Sequence, residues 1–176
     1  MRRVWRSGAV IAGALFVLAS HANEAPFNFV PPPPLAAAGV QRALLGNTHT
    51  YRAAGVLPRL TITTMPVREI DGRFGALSGR SCIEPFLAEL AQAHGRFFVA
   101  GQARPLAVGG HQLRQFRWSG EKDGRVLTGV LSCGRLGRYY YVFDFVDELI
   151  AATTSFPRIR ASLRALAPDT EADRKP

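Results

Sequence analysis

The stretch from His111 to Phe145, HQLRQFRWSGEKDGRVLTGVLSCGRLGRYYYVFDF, most constrains what this chain can become. It reads as three β-strands joined by two tight turns. Asp123-Gly124 suits a type I′ hairpin, whose two central residues both need positive φ. Pairing Lys122 with Arg125 sets Trp118 opposite Gly129 and Phe116 opposite Leu131. The second turn, Arg135-Leu136-Gly137, suits a three-residue loop with Gly137 left-handed in a G1 bulge. Gly134 then faces Arg138, and Cys133, Leu131, Gly129 and Leu127 lie across from Tyr139, Tyr141, Phe143 and Phe145. The two turns together gather Phe116, Trp118, Leu127, Leu131, Cys133 and four aromatics on one face. Gly129 is the flat spot over which Trp118 and Phe143 lie. The other face mixes Val126, Val130, Tyr140, Val142 and Val146 with Arg117, Thr128, Ser132 and Asp144. Such a face calls for cover by a helix or by a partner, and a helix is the commoner solution.

The start of the chain reads as a targeting segment. Arg2, Arg3 and Arg6 precede an apolar run from Gly8 to Ala19, and Ser20-His21-Ala22 is a small-x-small cleavage site. The run is too short to span a bilayer and fits a signal peptide, residues 1–22, with no cysteine after it for a lipid anchor. Cleavage after Ala22 leaves 154 residues, enough for a single domain with a sizeable core and too few for two. The chain has 22 Lys and Arg against 13 Asp and Glu. Without the three signal arginines this becomes 19 against 13, a net charge of +6. That excess is compatible with an acidic partner. The arginines are scattered singly, so nothing here resembles a nucleic-acid patch.

Two cysteines, Cys82 and Cys133, stand in a chain expected to be exported, where disulfides persist. Their spacing does not fit a redox C-x-x-C pair or a metal site, so a structural bridge is expected between them. It would tie a helix to the sheet and restrict the unfolded chain by about 4 kcal/mol.

The remaining elements follow from local pattern. Phe27 to Val30 reads as a short strand stopped by four prolines, a stiff polyproline spacer. Leu35 to Leu45 predicts a helix, opened by Pro34 and ended by Gly46-Asn47. Thr50 to Ala53 and Arg59 to Val67 predict strands, the second with Leu60, Ile62 and Thr64 on one face. Arg68 to Gly79 reads as a charged, Gly-rich loop. Ser81 to His94 is the clearest helix, with a Ser81/Glu84 capping box and an apolar stripe of Ile83, Phe86, Leu87 and Leu90. Arg96 to Ala100 and Pro105 to Val108 predict short strands leading into the meander through Gly109-Gly110. Glu148 to Phe156 reads as a loop. Ser155 then caps a final helix with Phe156, Ile159, Leu163 and Leu166 on one side. The domain thus spans 23–166, and 167–176 is expected to be a disordered tail.

No catalytic constellation stands out. His49, His94 and His111 have no acidic or cysteine neighbour at ligand spacing, and no G-x-S-x-G elbow exists. Asp144, Asp147 and Glu148 cluster at a strand end, where carboxylates are usually solvated. Neither a metal nor a cofactor is expected, and an enzymatic role is disfavoured. Arg117 and Tyr140, set among valines, are the candidate partner contacts.

Phe27-Asn28-Phe29-Val30-Pro31-Pro32, followed by a helix, an antiparallel meander and a closing helix with Phe156 and Ser162-Leu163, resembles the PsbP-like family. Leu35 and Ala36 stand where that family has a tryptophan. The resemblance implies an α+β fold, an α/β/α sandwich in which an antiparallel meander has helices packed on both faces. It also implies a non-enzymatic binding or assembly role. The expectation is therefore an exported protein-interaction module of the bacterial envelope, periplasmic or secreted. It has one unidentified protein partner and no membrane span. An immunity protein or inhibitor of a secreted antibacterial effector is a narrower alternative. A small-ligand-binding or enzymatic domain with a pocket at the sheet edge is the alternative from a different class.

Overall fold

The computed structural model describes residues 25–43, 46–78, 80–99 and 103–168. The expected signal peptide, Leu44-Leu45, Gly79, Ala100 and residues 169–176 of the expected tail lie outside the described residues. In chain order the elements are β1 (Phe27–Asn28), β2 (Ala36–Ala43), β3 (Gly46–Arg52), β4 (Arg59–Pro66), α1 (Val67–Phe74), α2 (Glu84–Ala93), β5 (Gly95–Val99), β6 (Arg104–Val108), β7 (His111–Lys122), β8 (Arg125–Leu136), β9 (Tyr139–Glu148), α3 (Ala152–Arg164) and β10 (Ala167–Pro168). The class is α+β. Eight strands form one antiparallel sheet in the order β2-β3-β4-β9-β8-β7-β5, with β6 also paired to β7, and β1 pairs separately with β10.

The first hairpin forms as expected. Lys122 pairs with Arg125 and Trp118 with Gly129, while Asp123 and Gly124 both have positive φ. The second turn differs. Leu136 pairs directly with Tyr139, so the turn is Gly137-Arg138, with Gly137 at φ 60°. A two-residue turn with glycine in its first central position is the type II′ solution. Cys133 therefore lies across from Val142, and Gly134 from Tyr141. The pairing has slipped by three residues from the expected one. An odd slip sends every side chain of the strand to the opposite face.

The consequence is two separate cores. Tyr141, Phe143 and Phe145 join Leu60, Ile62, Val130 and Leu136 with Phe156, Ile159 and Leu163 of α3. Trp118, Leu127, Leu131, Cys133, Tyr140, Val142 and Val146 join Met65 with Val67 and Ile70 of α1, Leu90 of α2 and Ile83 just before it. Tyr139, Tyr141, Phe143 and Phe145 thus part company with Trp118, which they were expected to join. Arg117 and Tyr140, expected on one face, lie on different ones.

Five further expectations are corrected. The alanine-rich segment after Pro34 is the edge strand β2, paired along its length with β3. Tertiary pairing here overrides a modest helix propensity. The Arg68–Gly79 stretch holds helix α1, which buries Val67 and Ile70. The last helix begins at Ala152, so Ser155 lies inside it. Its hydroxyl donates to Asp147 Oδ2 at 2.6 Å. The chain also does not leave the fold at Ala167, because Ala167 and Pro168 pair with Asn28 and Phe27. In α2 the Ser81/Glu84 box does not form. Ser81 Oγ instead accepts from Ser78 N, and Arg80 pairs with Glu84. The apolar stripe of α2 does face inward, with Ile83 and Leu90 buried.

Cys82 and Cys133 are joined, with Cα atoms 6.0 Å apart. The bridge fixes the residue two positions before α2 to the middle of β8. Among the described residues no helix is long and apolar enough to cross a membrane.

Candidate functional site

Residues Thr61, Thr63, Met65 of β4 and Val142, Asp144, Val146 of β9 face the same side of the sheet as the Trp118 core. They form the floor of a cleft of about 1360 Å³. Thr48, Thr50 and Arg52 of β3 extend this floor, and β2 and the 53–58 loop form one side. Phe86, Glu89, Leu90 and Ala93 of α2, His94 and the Lys122–Arg125 turn form the other. The cause lies in the length and attachment of α2. Its disulfide holds its start over β8, and the helix runs from there towards β5 and the Trp118 side of the sheet, away from β3 and β4. A second cavity under α3, lined by Leu60, Phe143 and Phe156 among others, has only about 20 Å³. That is room for one water molecule.

At the centre of the floor sits Asp144. Its side chain is 15% exposed, and it pairs with Arg59 at 3.7 Å. Arg59 is two positions along the strand from the residue opposite, a diagonal cross-strand pair. Burial pushes the Asp144 carboxyl up to about 6, against the pull of Arg59 and of the Trp118 indole, which favour its charged form. Asp144 Oδ1, Trp118 Nε1 and Arg59 Nε are all closed to solvent here, and the indole N–H acts on the carboxylate without forming a well-aligned hydrogen bond.

The indole reaches this point because β8 carries Gly129. A Cβ there would collide with Trp118 Nε1 and Cε2. With none present, the ring of Trp118, 1% exposed, lies across β8 towards β9. His94 backs it at a centroid distance of 5.0 Å, and its own Nδ1 lies 2.9 Å from the Leu90 carbonyl. The sequence reading of Gly129 as a flat spot for Trp118 holds. Phe143, expected beside it, lies on the other face.

The expected contact residues fare differently. Tyr140 is 3% exposed; its hydroxyl donates to Asp71 Oδ1 at 2.9 Å and accepts from Leu77 N at 3.1 Å. It pins the α1 segment to the sheet and presents nothing to a partner. Arg117 is exposed on the α3 face, its guanidinium 5.9 Å above the Phe156 ring, a cation–π contact. Of the strand-end carboxylates, only Glu148 is solvated as expected, pairing with Arg125 at 3.2 Å. Asp147 is buried, accepting from Ser155 and from Glu148 N. His49 is buried on β3 against Phe27, and burial lowers its pKa. Among the described residues no group of three His, Cys, Asp or Glu could hold a metal.

Sequence reasoning missed the cleft, although a signal for it was present. In Arg59–Pro66 the face opposite Leu60 and Ile62 carries Arg59, Thr61 and Thr63, and in Gly46–Arg52 it carries Thr48, Thr50 and Arg52. Polar alternation on adjacent strands marks a face without full cover.

No family model and no curated protein matches this chain. Among solved structures it is similar to LpqN, described as involved in cell envelope biogenesis of Mycobacterium tuberculosis. The identity is 13% and the TM-score 0.49, over 80% of this chain and 82% of that one. It is also similar to PA94 from Pseudomonas aeruginosa, described as a protein of unknown function and putative regulator. There the identity is 12% and the TM-score 0.47, over 81% of this chain and 82% of the other. At these values neither protein's role passes to this chain.

Proposed function

We propose that this chain is an exported, non-enzymatic protein-binding module of the bacterial envelope, built as a PsbP-like α/β/α sandwich, and that it engages its partner through the cleft. One observation carries this reading: half of one sheet face has no helix over it, whereas the opposite face is filled by α3 and the β9 aromatics. A soluble domain that leaves a large concave surface of mixed apolar and polar lining has a use for it. The signal-type N-terminus and the Cys82–Cys133 bridge support export.

The cleft lining is close to balanced in charge: Arg52, Arg59, Lys122 and Arg125 against Glu89, Asp123 and Asp144. That balance argues for a protein surface over a polyanion, and gives no preference for the acidic partner with which the net charge is compatible. A small-ligand-binding or enzymatic domain is the second reading, favoured by Asp144, whose pKa near 6 suits proton exchange. No His or Cys hydrogen-bonded to a cleft hydroxyl accompanies it among the described residues.

Photo-crosslinking in the native envelope tests the site. A photoreactive phenylalanine at Thr61, in the cleft, should give a discrete protein adduct, and one at exposed Arg158 on α3 should give none. Adducts from Arg158 alone would place the binding surface on the other face.

A further inference from the structure

On the α3 face, independent of the cleft, we propose that Arg104, Arg117, Arg160 and Arg164 form a binding site for a phosphate ester. These arginines are scattered in the sequence, and the fold gathers them. Arg104 of β6 stands opposite Gln115 of β7, so both point to the same face. Arg117, two residues along β7, points the same way. Gln115 and Arg160 line the small cavity under α3, which sets Arg160 between the two strand arginines. Arg164 lies one turn further along the helix. Each step of four residues turns the ridge about 40° further round the helix. Phe156 is accordingly buried, Arg160 half-buried and Arg164 exposed. The guanidinium of Arg117 rests over the Phe156 ring. Two strands and one helix thus bring four guanidinium groups around one point.

The charge there is uncompensated. The ion pairs Arg59–Asp144, Arg80–Glu84, Arg96–Glu121 and Arg125–Glu148 lie elsewhere, and among the described residues none of the four arginines has a carboxylate partner. Burial, and then the charges of Arg117, Arg104 and Arg164, oppose the positive charge on Arg160. A guanidinium nonetheless stays protonated at ordinary pH. The fold therefore carries a partly desolvated cation among three like charges, and a bound anion relieves that arrangement. An anion has access to it. Arg160 Nε is closed to solvent, but its two terminal nitrogens are not, and Arg104, Arg117 and Arg164 are exposed.

Convergence on one point selects the ligand. A nucleic-acid strand or an acidic peptide presents single charges spaced along a chain, which cations in a row meet better. A phosphate monoester concentrates a charge of about −1.5 to −2 and three acceptor oxygens in one group. Those oxygens accept the paired N–H groups of guanidinium forks. The same chemistry occurs in soluble phosphate esters and in lipid headgroups such as that of phosphatidic acid.

The test uses the oxidised chain from Asn23 to Pro176, whose own acidic tail, with Asp169, Glu171 and Asp173, is present in every arm. Glycerol 3-phosphate is titrated at low ionic strength and followed by amide NMR, and vesicles of phosphatidylcholine with and without phosphatidic acid are tested by flotation. Arg160→Gln, Arg104→Gln and Arg164→Gln are compared with Arg158→Gln, which removes the same charge from an exposed position of α3 outside the cluster. Each variant is checked for an unchanged near-ultraviolet spectrum. Arg104 is exposed, so Arg104→Gln carries the test should Arg160→Gln fail to fold. Affinity should fall about tenfold in Arg160→Gln, several-fold in Arg104→Gln and Arg164→Gln, and less than about twofold in Arg158→Gln. Flotation with phosphatidic acid that is lost in Arg160→Gln would assign the site to a lipid headgroup. A response to glycerol 3-phosphate alone would assign it to a soluble ester. Equal losses in Arg158→Gln and Arg160→Gln would reduce the effect to net charge and overturn the site, as would the absence of a response to both probes. A glutamate decapeptide bound more tightly than either phosphate probe, and through Arg160, would overturn the ligand class in favour of an acidic protein.

Discussion

The two faces of this sheet are built from the same strands by alternation, yet they are completed in different ways. Under α3 the residues are mainly aromatic and aliphatic, with Tyr141 stacked on Phe143 at 6.0 Å and Phe145 edge-on to Phe156 at 4.6 Å. Polar groups lie beneath α3 as well: Thr128 Oγ1 donates to the Trp118 carbonyl at 2.9 Å and Ser132 Oγ to Arg114 O at 2.8 Å, while His49 Nε2, Gln115 Oε1 and Arg160 Nε are buried without a hydrogen-bond partner. On the other face two short helices cover only part of the sheet. A disulfide supplements them, and polar atoms at the edge of the covered part are left unmet. The first face behaves as a core; the second combines a core with an open cleft. The difference teaches that the bridge and the cleft belong together. A face left half open has less apolar area to hold its helices, and the covalent tie makes up the difference.

Breaking the bridge should have the largest effect. The sequence separation of 51 corresponds to about 4 kcal/mol of restricted unfolded-chain entropy. Reduction, or the double substitution Cys82→Ala with Cys133→Ala, should lower the melting temperature by many degrees. Amide exchange should rise first in α2, with α3 protected for longer. Equal loss of protection in α2 and α3 would show that the faces do not differ in the way described.

The pH dependence of stability sharpens the comparison at one residue. The Asp144 carboxyl titrates near 6 in the folded chain, against 3.8 when free. Between these values the folded state holds the proton more tightly than the unfolded one. Asp144 therefore makes stability fall as pH rises from about 4 to about 6, and its full cost is present above that. A shift of this size corresponds to roughly 3 kcal/mol at most. His49, whose pKa is lowered by burial on the α3 face, acts in the opposite direction, its contribution lost as pH falls below the free value of 6.5. The difference between wild type and Asp144→Asn isolates the cleft residue. Urea midpoints measured from pH 4 to pH 7 should fall in the wild type relative to the Asn variant. Parallel curves would mean that Asp144 is solvated in the free protein.

How much of this was legible beforehand depended on whether local chemistry or distant pairing decided each element. Asp123-Gly124 admits few turns, so the register of β7 and β8 followed from it. The stripe Phe156, Ile159, Leu163 and Leu166 could face only one core. Gly137, by contrast, satisfies a positive φ in either a three-residue or a two-residue loop, and the two differ by an odd slip. That single ambiguity placed Tyr139 to Phe145 on the wrong face and put Tyr140 beside Arg117. The segment from Ala36 to Ala43 has a composition that suits a helix. Only the presence of β3 as a pairing partner makes it a strand, and no residue within it says so. The cleft itself depends on which part of the sheet α2 fails to cover. That is a property of where Cys133 lies in the sheet, legible only once the strand order is known.

The smallest expected effect makes the sharpest comparison, because the same substitution can be placed on each face. Thr128 and Thr61 are both strand threonines. Thr128 is buried and its hydroxyl serves the Trp118 carbonyl, whereas Thr61 is half-buried at the cleft floor and its hydroxyl makes no hydrogen bond among the described residues. Replacing threonine by valine keeps shape and strand propensity and removes only the hydroxyl. At Thr128 the change removes a buried donor and should cost about 1–2 kcal/mol. At Thr61 it exchanges a solvated hydroxyl for a methyl group in a place already open to water, and should lie within about 0.5 kcal/mol of zero. Urea unfolding of the two single variants measures both. If Thr61→Val proves as costly as Thr128→Val, the floor of the cleft is a buried core layer. Something would then have to cover it in the free protein. If the two separate as expected, the free energy of the fold does not depend on the hydroxyls of the floor. Whatever selects threonine there then acts through what the cleft holds.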